Sequence, residues 1–127
     1  SGLAIDALSG APGIFSARWA QTEKNRDFNV AMHKVHDEVG GIDGSQTAHF
    51  EAVLALVFPD QSKYVFDGKV SGRLQWPPRG AKGFGYDPIF VPEGHQMTFA
   101  EMDPEQKHCM SHRAKAVEKF KIWLERQ

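Results

Sequence analysis

The fold of this chain is decided by residues 47–76, which read TAHFEAVLALVFPDQSKYVFDGKVSGRLQW. The first part, Thr47 to Phe58, is rich in β-branched and aromatic residues and predicts a strand buried on both faces at the centre of a sheet. Pro59 to Ser62 supply the residues of a tight turn, so a second strand begins at Lys63 and the two strands form a hairpin. The Asp67-Gly68 pair predicts a bulge in this second strand.

Apolar spacing predicts helices on both sides of the hairpin. Between Arg26 and Val39, apolar side chains recur at helical intervals until Gly40-Gly41 end the pattern. Ile89 to Val91 predict a short strand, and Ser111 caps a last helix with an apolar face. We therefore predict one α/β domain over residues 1–127, with a mixed, partly antiparallel sheet flanked by helices. The strand order does not follow from the sequence.

The composition is that of an ordinary globular domain. The 127 residues are 41% hydrophobic and 24% charged, with a formal net charge of −1. This balance gives no bulk electrostatic attraction to nucleic acid or to an anionic membrane, and no apolar run reaches the roughly 18 residues of a membrane helix. The single cysteine, Cys109, excludes an internal disulfide and fits a reducing compartment. We therefore expect a cytoplasmic domain with neither a nucleic-acid nor a membrane partner.

Six histidines raise the question of a metal site. His33 and His36 are three residues apart on the predicted helix, a spacing that can bring two ligands together. Both fall on the polar side of that helix, and no third ligand follows at a fixed offset, so the pattern favours solvated surface. We predict no metal ligand within this chain.

The segment from residue 80 to residue 88, GAKGFGYDP, predicts a flexible loop that can bind a ligand. Two glycines flank Phe84 and free the backbone to present its ring at the loop tip. An aromatic ring and the carboxylate of Asp87 on one loop can hold a flat heterocycle, because the ring stacks on it and the carboxylate accepts from an N–H at its edge. The alternative, in which Phe84 and Tyr86 anchor the loop in the core, stays open at this point.

A second candidate site begins the last helix, at Ser111-His112-Arg113. The first turn of a helix carries unpaired backbone N–H groups and a partial positive charge, and His112 and Arg113 add side-chain donors. Donors gathered at one point suit a phosphate group or a keto oxygen. In the structural alternative, Ser111 is an ordinary N-cap and Arg113 a surface residue. Cations are usually disfavoured in a first helical turn, which favours a functional reason for His112 and Arg113. Because Ser111 is also an ordinary N-cap residue, both interpretations stay open.

These two segments, with the residues before them, resemble the inosine triphosphate pyrophosphatase family, which acts on noncanonical purine nucleotides. The matching stretches follow the family's order over most of the chain: SGL (1–3), GAPGIFSARW (10–19), Gly72, PRG (78–80), GFGYDPIF (83–90), TFAEM (98–102), Lys107 and SHR (111–113). The resemblance implies an elongated, two-lobed α/β fold around a central nucleotide cleft, and a homodimer. It also implies hydrolysis of ITP, dITP and XTP to the monophosphate and pyrophosphate, with Mg²⁺ as cofactor.

By this resemblance, four residues would recognise the purine base. Phe84 would stack on it, and Asp87 would accept a hydrogen bond from its edge. His112 and Arg113 would donate to the keto oxygen at C6, where adenine carries an amino group instead. Buried donors left unpaired cost about 1–3 kcal/mol each, so two of them would lower the affinity for ATP by roughly several hundredfold or more. Guanine keeps the C6 oxygen, and the sequence does not identify the residue that rejects it.

Four further residues complete the implied site. Ser1 and Lys107 would contact the nucleotide, and Gly85 and Tyr86 would shape the Phe84 loop. The family's catalytic carboxylates and phosphate loop, which supply the general base and the Mg²⁺ ligands for phosphoanhydride hydrolysis, precede the Ser-Gly-Leu stretch and do not occur in these 127 residues. We therefore expect the chain to be roughly the carboxyl-terminal two-thirds of such an enzyme. The catalytic and metal-binding residues would lie just upstream of Ser1, and the chain alone would be nearly inactive.

Two other functions and one other family are compatible with the chain. A chain without these carboxylates can still be a noncatalytic purine nucleotide-binding module. A structural or protein-interaction domain would show no preference among nucleotides. The septum-inhibitor-like pyrophosphatases share the fold but prefer modified pyrimidines, and the Phe-Gly-Tyr-Asp and Ser-His-Arg motifs argue against them.

Overall fold

The predicted hairpin is the centre of a four-stranded sheet in the computed structural model, which describes residues 2–127. The strands and helices are β1 (Gly2–Ile5), α1 (Phe28–Glu38), β2 (Thr47–Val57), β3 (Lys63–Leu74), β4 (Phe90–Pro92), α2 (Pro104–Met110) and α3 (His112–Glu125). The strands lie in the order β1-β2-β3-β4, and each pairing is antiparallel. The predicted α/β class is confirmed, and the sheet, expected to be partly antiparallel, is antiparallel throughout the described residues.

A glycine within β3 allows the last helix to approach the sheet. β2 pairs with β3 along its whole length without interruption, so the bulge predicted at Asp67-Gly68 is wrong. A Cβ atom at Gly68 would lie 2.0 Å from the carbonyl oxygen of His112 and 2.6 Å from the backbone nitrogen of Ala116. The glycine is needed because the backbones of α3 and β3 meet here.

The outer half of β2 is not buried on both faces, and that prediction is wrong. Val53 is 59% exposed and Val57 is 63% exposed. β1 pairs only with residues 48–51 of β2, and α3 packs on the face that carries Gly68 and its partner Ala52. Because side chains alternate along a strand, Val53 and Val57 point to the opposite face. No described layer covers that face at this end of the hairpin.

The core connects the sheet to α1 and reaches the start of α3. Leu3 of β1, Val35 of α1, Leu74 of β3 and Phe90 of β4 are fully buried in one cluster. Burial of a side chain of this size contributes about 1.5–3 kcal/mol. Phe50 of β2 packs against Phe90 with ring centroids 4.6 Å apart and stacks on the first residue of α3.

The two histidines of α1 pack on a tryptophan. Asp27 caps the helix by accepting a hydrogen bond from a backbone N–H of its first turn. His36 stacks on Trp76 with ring centroids 4.1 Å apart, and His33 meets the same ring edge-on at 5.2 Å. The prediction of solvated surface is therefore wrong for His36, which is half-buried.

Across residues 2–127, no helix has the length and apolar character needed to cross a membrane.

Candidate functional site

The 80–88 loop, α2 and the start of α3 enclose a cavity of about 460 Å³. Small-molecule sites usually fall between about 300 and 1,000 Å³ and combine apolar walls with a few polar groups. The residues that line this cavity are Gly83, Phe84, Phe99, Met102, Pro104, Lys107, His108, Ser111, His112 and Arg113. It joins the two segments that the sequence singles out, although they lie about 25 positions apart in the chain.

The loop holds Phe84 outward and Tyr86 inward. Phe84 is 58% exposed, whereas Tyr86 is 3% exposed and its hydroxyl donates to the carbonyl oxygen of Ser16 at 2.6 Å. Burial raises the pKa of the Tyr86 phenol. Gly83 has a φ of +74°, and a Cβ atom there would lie 2.3 Å from Oδ2 of Asp87. The alternatives therefore divide between the two rings: Tyr86 anchors the loop in the core, and Phe84 is available to a ligand.

Asp87 forms a nearly buried ion pair with Lys107. Its Oδ2 accepts from the backbone N–H of Phe84 at 3.0 Å and from the Lys107 ammonium at 2.5 Å. The two side chains are only 6% and 15% exposed. The ammonium also lies 4.4 Å from the centroid of the Phe84 ring. The carboxylate thus joins the loop to α2 and fixes the lysine beside the aromatic ring.

The first turn of α3 presents a histidine with an unpaired ring nitrogen. Ser111 caps the helix by accepting from the N–H of Ala114 at 3.1 Å, as predicted. His112 is 7% exposed, and its ring stacks on Phe50 with centroids 5.1 Å apart. Its Nδ1 is buried and finds no hydrogen-bond partner within residues 2–127. A buried polar atom of this kind costs about 1–3 kcal/mol while it lacks a partner.

The electrostatics of the cavity favour oxygen atoms over amino groups. Burial, together with the nearby positive charges of Arg113 and Lys107, lowers the pKa of His112 to about 4. The imidazole is therefore neutral at pH 7, with one ring nitrogen that donates and one that accepts. The guanidinium carbon of Arg113 lies 4.9 Å from the centroid of the Phe84 ring, so two cations lie beside that ring. Electron-rich groups on a flat ligand would be attracted here.

The structure brings together five of the residues that the resemblance selects. They meet around the cavity through the contacts just described: Phe84, Asp87, Lys107, His112 and Arg113. Gly85, with a φ of +64°, and Tyr86 complete the loop behind Phe84. Ser1 lies outside the described residues.

Sequence reasoning missed the apolar wall and the support of this site. Phe99 and Met102 line the cavity and are almost fully buried, and Phe50 supports the His112 ring. Gly68, which lets α3 approach the sheet, carried a detectable signal because a glycine inside a strand often marks the close approach of another backbone. Phe99 and Met102 belong to the TFAEM stretch that carries the family resemblance, but no local pattern assigns them or Phe50 to a site, because their neighbours come from distant parts of the chain.

The chain has an α/β fold and a cavity lined by aromatic rings and hydrogen-bond donors, and its sequence is similar to one protein family. Residues 1–123 match the model of the Ham1 family. A dITP/XTP pyrophosphatase of Ruegeria pomeroyi is 53% identical over 122 residues, which are 94% of this chain and 60% of the relative. Another, of Caulobacter vibrioides, is 52% identical over 125 residues, or 98% of this chain and 63% of the relative. The chain belongs to the Ham1 family and spans about three-fifths of the length of these curated relatives.

Solved structures of Ham1 proteins have the same fold. The Staphylococcus aureus Ham1 protein superposes with a TM-score of 0.87 at 38% identity, over 98% of this chain and 63% of that protein. The Coxiella burnetii protein gives a TM-score of 0.87 at 37% identity, over 99% of this chain and 64% of that protein. The family resemblance inferred from the motifs is therefore confirmed.

Proposed function

We propose that this chain recognises the base of noncanonical purine nucleoside triphosphates, namely ITP, dITP and XTP, for hydrolysis to the monophosphate and pyrophosphate. Such hydrolysis would remove these nucleotides from the cytoplasmic pool, so we expect the protein to act in the cytoplasm. The names of the relatives, dITP/XTP pyrophosphatases, support this substrate class. The 460 Å³ cavity has room for a purine nucleoside.

The unpartnered Nδ1 of His112 is the observation that carries the proposal. A base stacked on Phe84 would bring its C6 oxygen to the first turn of α3, where the neutral His112 ring can donate through a protonated Nδ1 and Arg113 can donate beside it. Adenine would place an amino group at this position and leave donor facing donor. Asp87 would accept from the N1–H that keto purines carry and adenine lacks.

Hydrolysis of a phosphoanhydride also needs a divalent cation and a base that orients water. Within residues 2–127, no three His, Cys, Asp or Glu side chains converge on one metal position. These residues do not fit a resident Mg²⁺ site, so we derive no bond-breaking step from them. We propose that the general base and the Mg²⁺ ligands are the carboxylates that the family carries immediately before the Ser-Gly-Leu stretch.

Base recognition can be tested by measuring the affinity of the chain for IMP and AMP. Stacking contributes about 1–3 kcal/mol per base, so Phe84→Ala should weaken IMP binding about 10- to 100-fold. Asp87→Asn removes the negative charge that pairs with Lys107 and replaces one of the two acceptor oxygens by a donor NH2, and we expect IMP affinity to fall about tenfold or more. Phe58→Ala, which removes another exposed ring at the far end of the hairpin, is the matched control and should leave binding unchanged. Equal affinity for IMP and AMP, or unchanged IMP binding in both site variants, would contradict the proposal.

Catalysis needs a separate measurement. Pyrophosphate release from ITP and ATP with Mg²⁺ should be compared for this chain and for a longer protein that includes the family's upstream carboxylates. We expect release from ITP by the longer protein and little from the chain. If the chain binds IMP selectively but neither the chain nor the longer protein releases pyrophosphate from ITP, the result would favour a noncatalytic nucleotide-binding module.

We also propose that the protein works as a homodimer, as the family resemblance implies. The exposed valines of β2, Val53 and Val57, are apolar area that a second copy would cover. Sedimentation velocity gives the oligomeric state directly, and a monomer at micromolar concentration would contradict this part of the proposal.

A further inference from the structure

A ring contact holds the side chain of His112 at the edge of the cavity. Its Nδ1 finds no hydrogen-bond partner within residues 2–127, and its ring stacks on Phe50 with centroids 5.1 Å apart and an interplanar angle of 14°. In many functional sites, a hydrogen bond at one ring nitrogen fixes the orientation of the imidazole. For His112, stacking on Phe50 takes the place of that hydrogen bond at Nδ1.

Phe50 is a rigid support for this contact. It is 6% exposed and lies on β2, where its neighbours are Leu3 of β1 on one side and Val70 of β3 on the other. The fully buried rings of Phe90 and Phe99 lie 4.6 and 5.9 Å from it, centroid to centroid. Because a side chain packed on several sides of a central strand has little freedom to move, the surface on which His112 stacks is fixed.

The backbone of His112 is fixed over the same face of the sheet. Its carbonyl oxygen lies against Gly68, where an added Cβ atom would come within 2.0 Å of it. Gly68 pairs with Ala52, which shares a face of β2 with Phe50 because side chains alternate along a strand. The first residue of α3 is therefore attached to the sheet at two points, its carbonyl group and its ring. Phe50 does not line the cavity, so it acts on a ligand through its neighbours.

From this geometry we infer that Phe50 is a positioning residue for base recognition, which holds the His112 ring where it can donate to the keto oxygen at C6. A donor that must be ordered when the ligand binds loses part of its hydrogen-bond energy to the entropy of ordering. A ring already held by stacking avoids that cost. The inference rests on the proposed function, in which His112 is a donor to the C6 oxygen.

The first test compares the affinities of the wild-type chain, Phe50→Leu and Phe90→Leu for IMP and AMP. Phe50→Leu removes the flat ring face but keeps an apolar side chain in the core. We expect IMP binding to weaken about tenfold and AMP binding to change less than about twofold, because the amino group of AMP does not accept from His112. Phe90→Leu is the matched control and should keep the IMP-over-AMP preference, since Phe90 is fully buried against Phe50 but does not line the cavity.

A double-mutant cycle then shows whether Phe50 acts through His112. In a His112→Asn background, Phe50→Leu should weaken IMP binding by less than about twofold, because the ring that Phe50 positions is gone. Three results would overturn the inference: unchanged IMP binding by Phe50→Leu, equal weakening of IMP and AMP, or the same tenfold loss in the His112→Asn background. If the wild-type chain does not prefer IMP to AMP, the proposed function fails and this inference fails with it.

A measurement on the wild-type chain decides the matter if circular dichroism shows that Phe50→Leu does not fold. Nuclear Overhauser contacts between the ring protons of Phe50 and His112 should be present in the free chain, where the rings stack, and should persist in the complex with IMP. Loss of these contacts when IMP binds would mean that His112 leaves Phe50 to reach the base, and the inference would be overturned.

Discussion

Acidification should destabilise the fold through one buried imidazole. Burial, with the positive charges of Arg113 and Lys107, lowers the pKa of His112 from 6.5 to about 4. The unfolded chain therefore takes up a proton at this residue as the pH falls through 6.5, whereas the folded chain does so only near pH 4. Between these two values the unfolded state binds one more proton, so the free energy of unfolding decreases as the pH falls. The contribution of the neutral His112 ring to the free energy of unfolding is fully present above pH 6.5 and is lost as the pH falls to about 4.

The size of the effect follows from the shift. One pKa unit corresponds to about 1.4 kcal/mol, so a pKa lowered from 6.5 to about 4 changes the free energy of unfolding by about 3 kcal/mol. His112 is 7% exposed, and its stacking on Phe50 limits access of water, so most of this effect should survive solvent screening. A loss of this size is a large fraction of the stability of an ordinary domain.

The assay is urea unfolding of the wild type and of His112→Asn at pH 7 and at pH 4. The asparagine does not titrate, and all other ionisable groups are common to both proteins. We expect the wild type to lose about 3 kcal/mol more than the variant between these pH values. Tyr86→Phe is the control: it removes one buried hydrogen bond without adding or removing a group that titrates in this range, so its pH dependence should follow the wild type. An NMR titration of the His112 ring protons measures the pKa directly.

Two outcomes would refute this reasoning. A His112 pKa between 6 and 7 in the folded protein would mean that the ring is solvated or can pair with an acceptor. Equal pH dependence of stability in the wild type and His112→Asn would mean that the imidazole does not contribute to the acid sensitivity.

Two further substitutions test how the site is supported. Gly68→Ala places a Cβ atom 2.0 Å from the carbonyl oxygen of His112, so α3 must shift and IMP binding should weaken about tenfold or more. Gly44→Ala is the control. Its Cβ atom meets no atom within 4 Å, so IMP binding should be unchanged although the φ of +90° makes the alanine strained. Tight IMP binding by Gly68→Ala would mean that α3 can move without disturbing the base site. Tyr86→Phe leaves the carbonyl oxygen of Ser16 without its donor and should lower the free energy of unfolding by about 1 kcal/mol in urea titrations, and an unchanged midpoint would show that water replaces this bond.

The sequence alone determined the features that depend on local chemistry. The turn residues Pro59 to Ser62 and the apolar runs on each side specify the β2–β3 hairpin, because side-chain periodicity and turn geometry are properties of neighbouring residues. Ser111 is an N-cap for the same reason, since its oxygen bonds an N–H three residues away. The glycines beside Phe84 indicate a loop that can present an aromatic ring, and the ring is exposed. The family motifs added the set of residues that would bind a purine nucleotide.

The tertiary structure decided which surfaces meet, and no local pattern contains that information. The apolar residues at the outer end of β2 predict burial on both faces, but Val53 and Val57 are exposed because the described chain places a helix on only one side. Gly68 looks like a bulge in the sequence and instead makes room for α3, which starts 44 residues later at His112. The pairing of Asp87 with Lys107 and the stacking of His112 on Phe50 also join residues that are far apart in the chain. Charge and pKa in the site depend on these contacts, because burial and neighbouring ions set the electrostatic energy of a group, and both follow from packing.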